Sequence, residues 1–512
     1  MSSPFSISFT RRDFSGPILP SVRLQAERLA WSCFGGPDQA DLSASGTMQN
    51  LLELTSLLRC GVQVMDRYGE PVWWGYLDRV TVFLEHVQVS VSLEDLFNQV
   101  RVQYSYISPD NKLAEQNETD SAINAQSQVE FGVKEVLLNR IDLDEDFAES
   151  LRDTFLALHA WPISELSQRS GSGQVSADLH CSGWFKTLGW TIYENNEGFY
   201  ANYGPGPGIF TFGDVSEHRR IGQSFTPGAD CDLKYVYFRL SKEGNPTAGL
   251  RARLREDNSG TPVWPPLAMS ALVSSAEVSD EKYSWIKFDW GTPYTLNGGQ
   301  KYWITLDPLG VDASNYYLLK TDENMNYEGH GGKYHDEAAG TWNKLPSVTC
   351  PGSRPDVYIR VVCVSDTGEQ LERIAAAGNQ FFTKVTGLET GIQTSPYRMN
   401  GRDCLKEVEA LLNLGTANQR LVLVRVTPER QLAFYEQPDP DEADLYLDGQ
   451  SRFFTKTSAP LPDYLPPVGR WVRLAAVTDI RMPWDRNRLP ACFITSAEYF
   501  PRDGRVVVKS MK

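Results

Sequence analysis

No stretch of about 18 apolar residues occurs anywhere in the chain, so nothing in it reads as a membrane-spanning helix. A basic excess is missing too. The formal charge is −16, from 49 basic against 65 acidic residues, which argues against a general nucleic-acid binder because phosphates call for clustered Lys and Arg. The eight cysteines (Cys33, Cys60, Cys181, Cys231, Cys350, Cys363, Cys404 and Cys492) include no C-x-x-C pair, which excludes a zinc ribbon or finger. Several lie among apolar neighbours, as in RVVCV and ACFI, where a free thiol behaves as a small hydrophobe; this usage fits synthesis in a reducing cytoplasm. An export signal is also expected to be lacking. Thr10-Arg11-Arg12-Asp13-Phe14 mimics a twin-arginine signal, but Arg23, Glu27 and Arg28 fall where an apolar stretch would be required. No cofactor or metal is expected. His180 and Cys181 form a tempting pair, yet in a strand they point to opposite faces.

What is present is a long β-rich chain interrupted by helix-length periodic segments. At 512 residues, three or four domains are expected, each able to bury its own core. Thr47 precedes a helical stripe of Met48, Leu51, Leu52, Thr55 and Leu58. VQVMD and PVWWGYL, joined at Arg67-Tyr68-Gly69-Glu70, predict a hairpin. Ser92 is placed to cap a short helix in SLEDLFNQ, and a longer helix is predicted from about Asp144 to His159, with Phe147, Leu151, Phe155 and Leu158 on one face. Thr367 to Gln370 reads as a capping box, and Asp403 to Leu414 as a further helix. Between Ile221 and Val364 the pattern becomes that of an aromatic-rich β-sandwich set into the host, from IGQSFTP through GLRARLRED and QKYWITLDPLG to PDVYIRVVCV.

Four host stretches together resemble a phage tail baseplate hub, the protein that closes the end of a tail tube. They are GVQVMDRYGEPVWWGYLDRV (Gly61 to Val80), SLEDLFNQVRVQYSYI (Ser92 to Ile107), FGVKEVLLNRIDLDEDFAESLRDTFLALHAWP (Phe131 to Pro162) and VSADLHCSGWFKTLGWTIY (Val175 to Tyr193). The resemblance implies an α+β, mostly β fold of hub-type barrel domains with short helices. It places a barrel-like domain at 1–107 and the first part of a second, helix-and-strand domain at 108–220. The sandwich follows at 221–364, the second domain resumes at 365–465, and a terminal β segment packs with the barrel at 466–512. It further implies a homotrimer located in the virion's tail baseplate and made in the host cytoplasm. The implied partners are a tail tube or distal tail protein, a tape measure protein and tail-tip or fibre proteins. No stretch resembles a lysozyme or peptidase domain, so no enzymatic activity is expected of this chain.

The insert resembles jelly-roll carbohydrate-binding modules in the order QSFTP, GLRARL, YWITL. Its segment from Asn315 to Trp342 gathers aromatic rings with Asn, Asp and His, the groups that stack on a pyranose and bond its hydroxyls. Tyr327, His330, Tyr334, His335 and Trp342 are the candidate contacts to a host-surface glycan; decoration or protein contact is the other reading. Trp303 and Phe288 fall in alternating strands and are expected in the core. The turn Glu256 to Gly260 reads as a hairpin turn or a calcium loop, and Asp439, Asp441, Glu442 and Asp444 as a solvated loop or a cation site. The alternative for the whole chain is a secreted glycan-active enzyme, or an adhesin, with an accessory carbohydrate-binding module.

Overall fold

The computed structural model describes residues 5–105, 117–141, 143–168, 175–194, 199–202, 207–228, 230–322, 331–346, 355–394, 401–440, 445–447, 452–455, 459–462, 464–474 and 491–511. The fold is α+β and mostly β. Two compact units divide the chain: Met1–Tyr193, Gly368–Ile392 and Asn400–Lys512 form the first, and Glu194–Thr367 with Gln393–Met399 form the second.

The first unit is built on a long composite sheet that is nearly closed into a barrel. Its spine is Pro71–Phe83, which buries Trp73 and Leu77 before, and Val80 and Val82 after, an irregularity in the pairing at Asp78 that shifts the alternation by one. One edge of this strand pairs first with Gly61–Met65 and then with Val87–Ser92, while the other pairs with Ser176–Ser182. The hairpin turn closes because the Asp66 carboxylate accepts the Tyr68 and Glu70 amides, and Gly69 supplies a φ of +86°. Arg23–Ser32 pairs with Gly36–Ser45 and also with Ala491–Phe500, so both ends of the chain enter one sheet. Packed on the same core are the 3₁₀ segment Trp184–Trp190, the helices Thr367–Ala377 and Cys404–Leu412, and a small sheet holding Val422–Val426 and Gln431–Glu436. Each large apolar side chain fully buried there contributes about 1.5–3 kcal/mol. A smaller layer sets the helix Glu145–His159 against the parallel pair Gln99–Ser105 and Glu135–Ile141. The expected cuts at 107/108 and 465/466 thus fall inside a unit that shares a sheet and a core.

Three local expectations are corrected. SLEDLFNQ is not helical: the Leu93 amide donates to the Asp78 carbonyl and Lys134 Nζ reaches the Leu93 carbonyl, which holds the segment as a turn after the strand Val87–Ser92. The Glu145–His159 helix begins where expected, capped by Asp144, but it buries Ala148 and packs Leu151, leaving Phe147 and Leu158 exposed. Thr367 is not a cap preceding a helix, since the helix already includes it.

The second unit is a sandwich of two sheets around its own apolar core. In one sheet Cys231–Glu243 is central, flanked by Ser284–Leu296 on one edge and by Ile359–Asp366 and Tyr316–Asp322 on the other. Phe199–Asn202 pairs with Ile359–Asp366, and Pro207–Phe212 with Tyr316–Asp322. Both early strands lie ahead of the expected start at Ile221, so the sandwich is larger than 221–364. Its entry and exit strands are hydrogen-bonded neighbours, the geometry an insertion requires. The other sheet runs Gly249–Asn258, Tyr302–Leu309, Arg220–Phe225, Gly332–Asp336, Thr341–Lys344. Leu250, Ala252, Leu254, Tyr302, Ile304, Leu306, Ile221 and Phe225 turn inward from it. Alternation sends their neighbours outward, and there the site lies.

Candidate functional site

Arg251, Arg253, Arg255 and Asp257 occupy the outward positions of Gly249–Asn258, and the pairing sets them beside Trp303, Thr305 and Asp307 of Tyr302–Leu309. Register then continues the rows to Arg220 and Gly222, to Lys333 and His335, and to Trp342. Gly222 matters in this layout. A Cβ there would stand 2.8 Å from Thr305 Cγ2, so glycine lets the two strands meet beneath the larger side chains.

A depression of about 270 Å³ opens on this face, walled by Arg220, Arg255, Pro262, Trp264, His335 and Trp342. Arg255 is only 2% exposed; its Nε donates to Thr305 Oγ1 at 2.9 Å and its Nη1 to the Val263 carbonyl at 3.2 Å. Burial pushes its pKa down to about 10. The guanidinium lies under the Trp264 ring, 4.8 Å from its centroid, while that indole is 64% exposed. Asp307, almost fully buried, pairs with Arg253 at 2.7 Å and with Arg220 at 3.5 Å. Arg220 Nη1 meets His335 Nδ1 at 3.2 Å. A guanidinium can only donate, so Nδ1 accepts and Nε2 carries the proton of a neutral imidazole. Burial, followed by the charge of Arg220, accordingly lowers the His335 pKa. The Trp342 ring packs 5.0 Å from His335, centroid to centroid. Rings, a ring N–H and fixed cations therefore converge on one small hollow.

A second depression, of about 230 Å³, dents the first unit's sheet between Glu27, Asp41, Arg79, Thr81, Asp178 and His180. Register slips between Ala26 and Arg28, so this bulge brings Glu27 and Arg28 to one face. Asp41 accepts from His180 Nδ1 and from Arg28 Nε, both at 2.7 Å. Burial works to raise the Asp41 carboxyl, but these hydrogen bonds and the Arg28 charge outweigh it and hold the group below the usual range. Asp178 goes the other way, raised by partial desolvation and by the charges of Glu27 and Asp41. Cys181, beside His180 in sequence, points into the core.

Of the expected contacts, Tyr327 and His330 lie outside the described residues. His335 and Trp342 both line the sandwich depression. Tyr334 does not join them: its ring turns to the inner side, 5.6 Å from Phe210 and 5.1 Å from His218. Trp303 is 2% exposed as expected, although it lies on the outward face rather than in the inner core, with Nε1 donating to Asp257 at 2.6 Å. The other Asp257 oxygen accepts the Gly260 amide, which closes the hairpin turn. Asp439 pairs with Arg420, while Asp441, Glu442 and Asp444 lie outside the described residues. Among the described residues no group of His, Cys, Asp and Glu could hold a metal ion, and no helix is long and apolar enough to cross a membrane. Trp264 and the arginines escaped the sequence reading. The signal was there in RARLR, whose spacing of two puts Arg251, Arg253 and Arg255 on one face of a strand.

No family model matches the chain, and no curated protein does. Among solved structures, the functional form of the mosquito-larvicidal Cry4Aa toxin from Bacillus thuringiensis is similar at 8% identity. That match covers 62% of this chain and 56% of the toxin, with a TM-score of 0.15, and it carries no argument.

Proposed function

We propose that this chain is a structural, non-enzymatic component of a phage tail baseplate hub, and that its sandwich unit holds a saccharide of the host surface. The observation that carries the saccharide reading is the hollow between Trp264 and Trp342, which pairs stacking faces with His335 and arginine donors. At about 270 Å³ it lies just below the roughly 300–1,000 Å³ of pockets that enclose a drug-sized ligand, which suits a sugar ring. The hub reading rests on the four host stretches and on a composite sheet to which both ends of the chain contribute. In this reading the first unit makes the threefold ring and its contacts to tube, tape measure and tail-tip proteins.

Two measurements test it. Light scattering on the full chain is expected to give a trimer, and a monomer both in solution and in virions carrying it would end the hub reading. Binding of the full chain to host envelope polysaccharide is expected, with several-fold weakening by Trp264→Ala, because a stacked ring adds about 0.5–1.5 kcal/mol. Release of saccharide fragments in the same mixture would move the chain to the glycan-active class.

A further inference from the structure

The saccharide reading leaves the ligand's charge open, and the hollow carries a charge of its own. In a chain with a formal charge of −16, the outward face of this sheet concentrates Arg220, Arg251, Arg253, Arg255 and Lys333. Asp307 is the buried carboxylate among them, and it is shared: Arg253 and Arg220 both pair with it. Glu337, half exposed, gives Arg220 a second and looser partner at 3.6 Å. Asp257 already accepts from Trp303 and from the Gly260 amide.

Arg255 is the decisive residue. It is nearly fully buried, it lines the hollow, and its hydrogen bonds go to a hydroxyl and a carbonyl, both neutral. Among the described residues no carboxylate forms an ion pair with it, and Asp307, whose charge it feels, is engaged by Arg253 and Arg220. A buried cation without a counter-ion is costly to hold unless something supplies the missing charge. A planar guanidinium presents its fork best to a carboxylate or a similar oxyanion. Burial, opposed by the charge of Asp307 and aided by the neighbouring arginines, lowers the Arg255 pKa to about 10.

We infer that the sandwich hollow selects an acidic saccharide, whose anionic group sits on Arg255 and Arg220 while its ring lies against Trp264 and Trp342. This rests on the saccharide reading and narrows it. The anion completes the pairing of Arg255, the indoles cover the apolar face of the ring, and the His335 Nε2 proton is free for a hydroxyl.

The test is titration calorimetry on the full chain with three probes: an oligogalacturonide, a sulfated heparin oligosaccharide, and a neutral cello-oligosaccharide of equal length. An acidic probe is expected to bind at least tenfold more tightly than the neutral one, and that preference should shrink as salt rises. Since heparin carries uronate carboxylates as well as sulfates, binding of the oligogalacturonide shows that a carboxylate suffices, and binding of heparin alone shows that sulfate is required. Arg220→Gln is expected to reduce affinity for the acidic probe about tenfold while leaving weak neutral binding as it was; Trp264→Ala should weaken both. Arg255→Gln should abolish the preference altogether, and because its burial endangers folding, the half-buried Arg220 provides the independent variant. Equal affinity for neutral and acidic probes, or an acidic preference untouched by Arg220→Gln, overturns the inference while the saccharide reading stands. No binding of any probe or of envelope polysaccharide ends both.

Discussion

On the sandwich the hollow is walled by two arginines, two tryptophans and a neutral histidine; on the first unit's sheet a hollow of similar size is walled by three carboxylates, an arginine and a histidine. Both come from the same device, the outward half of strand alternation. They differ in how the charges are answered. In and around the carboxylate hollow each cation has a partner at hand: Arg79 meets Glu94, Arg28 meets Asp41 and Glu498, and Arg502 meets Glu27. Its side chains stay wet, and it has no large aromatic lid. In the arginine hollow Asp307 and Arg255 are buried, indoles cover the cations, and positive charge is left over. A wet cluster whose cations are all answered is what an ordinary sheet surface needs. The unbalanced, more deeply buried one is where the proposed saccharide would bind.

The largest effect that sharpens this contrast separates the buried indole beside the hollow from the exposed one over it. Trp303→Ala, at a site 2% exposed, should cost about 3–5 kcal/mol of the sandwich's stability, as for other buried aromatics. Trp264→Ala, on the same face, should stay within about 0.5 kcal/mol, as surface substitutions do. Urea unfolding of the two variants checks this, and equal losses would mean that Trp264 is a packing residue too. Next comes the buried counter-charge. Asp307→Asn leaves Arg220 and Arg253 without their shared carboxylate and should cost about 3 kcal/mol, the low end for breaking a buried pair, because both arginine side chains still reach water. The urea midpoint should fall with the slope unchanged. A loss under about 1 kcal/mol would place the face among ordinary wet surfaces.

The contrast was only partly legible in the sequence. Alternation in PVWWGYL and YWITL located two of the main strands, and Asp144 and Asp403 marked helix starts that the caps verify. His335 and Trp342 could be picked out as candidates because they stand in a polar, aromatic-rich stretch, and both line the sandwich depression. Tyr334 was misjudged for a reason of parity: next to His335 in a strand, it has to face the other way. Trp264 was missed because it sits more than 70 residues before its wall partner Trp342, and only the register of five strands brings them to one hollow. The predicted helix face held at Leu151 and at Phe155, whose ring lies 6.0 Å from Phe97, but failed at Phe147, where Ala148 is the residue buried instead.

A smaller effect is expected in the carboxylate hollow. Asp41→Asn removes the partner of Arg28 and His180, but all three are partly exposed, so the loss should be below about 1 kcal/mol. Its folded carboxyl titrates below the unfolded value near 3.9, so the stability it contributes is present above that pH and lost as pH falls through the folded value. The variant should therefore be slightly less stable than the parent at neutral pH and equal to it in strong acid. A gap that persists in acid would show that the introduced amide disturbs packing rather than charge.

Asp178 sits on the strand neighbouring Asp41 and should give the smallest change, of opposite sign. Its folded carboxyl is raised above the unfolded value, first by partial desolvation and then by Glu27 and Asp41. Between those two values the folded chain binds more protons than the unfolded one, so stability falls as pH rises through the window. Above it the full penalty applies; below the unfolded value there is none. Asp178→Asn removes a charge that is repelled, so it should stabilise at neutral pH, by under about 0.5 kcal/mol because the exposed carboxyl is screened by solvent. The gain should vanish below about pH 4, where the parent's own Asp is protonated in both states. Thermal melts of parent and variant from pH 3 to pH 8 read this directly. A destabilised variant at neutral pH would mean that Asp178 has an attractive partner after all, and the carboxylate hollow would then be as fully balanced around Asp178 as it is around Asp41.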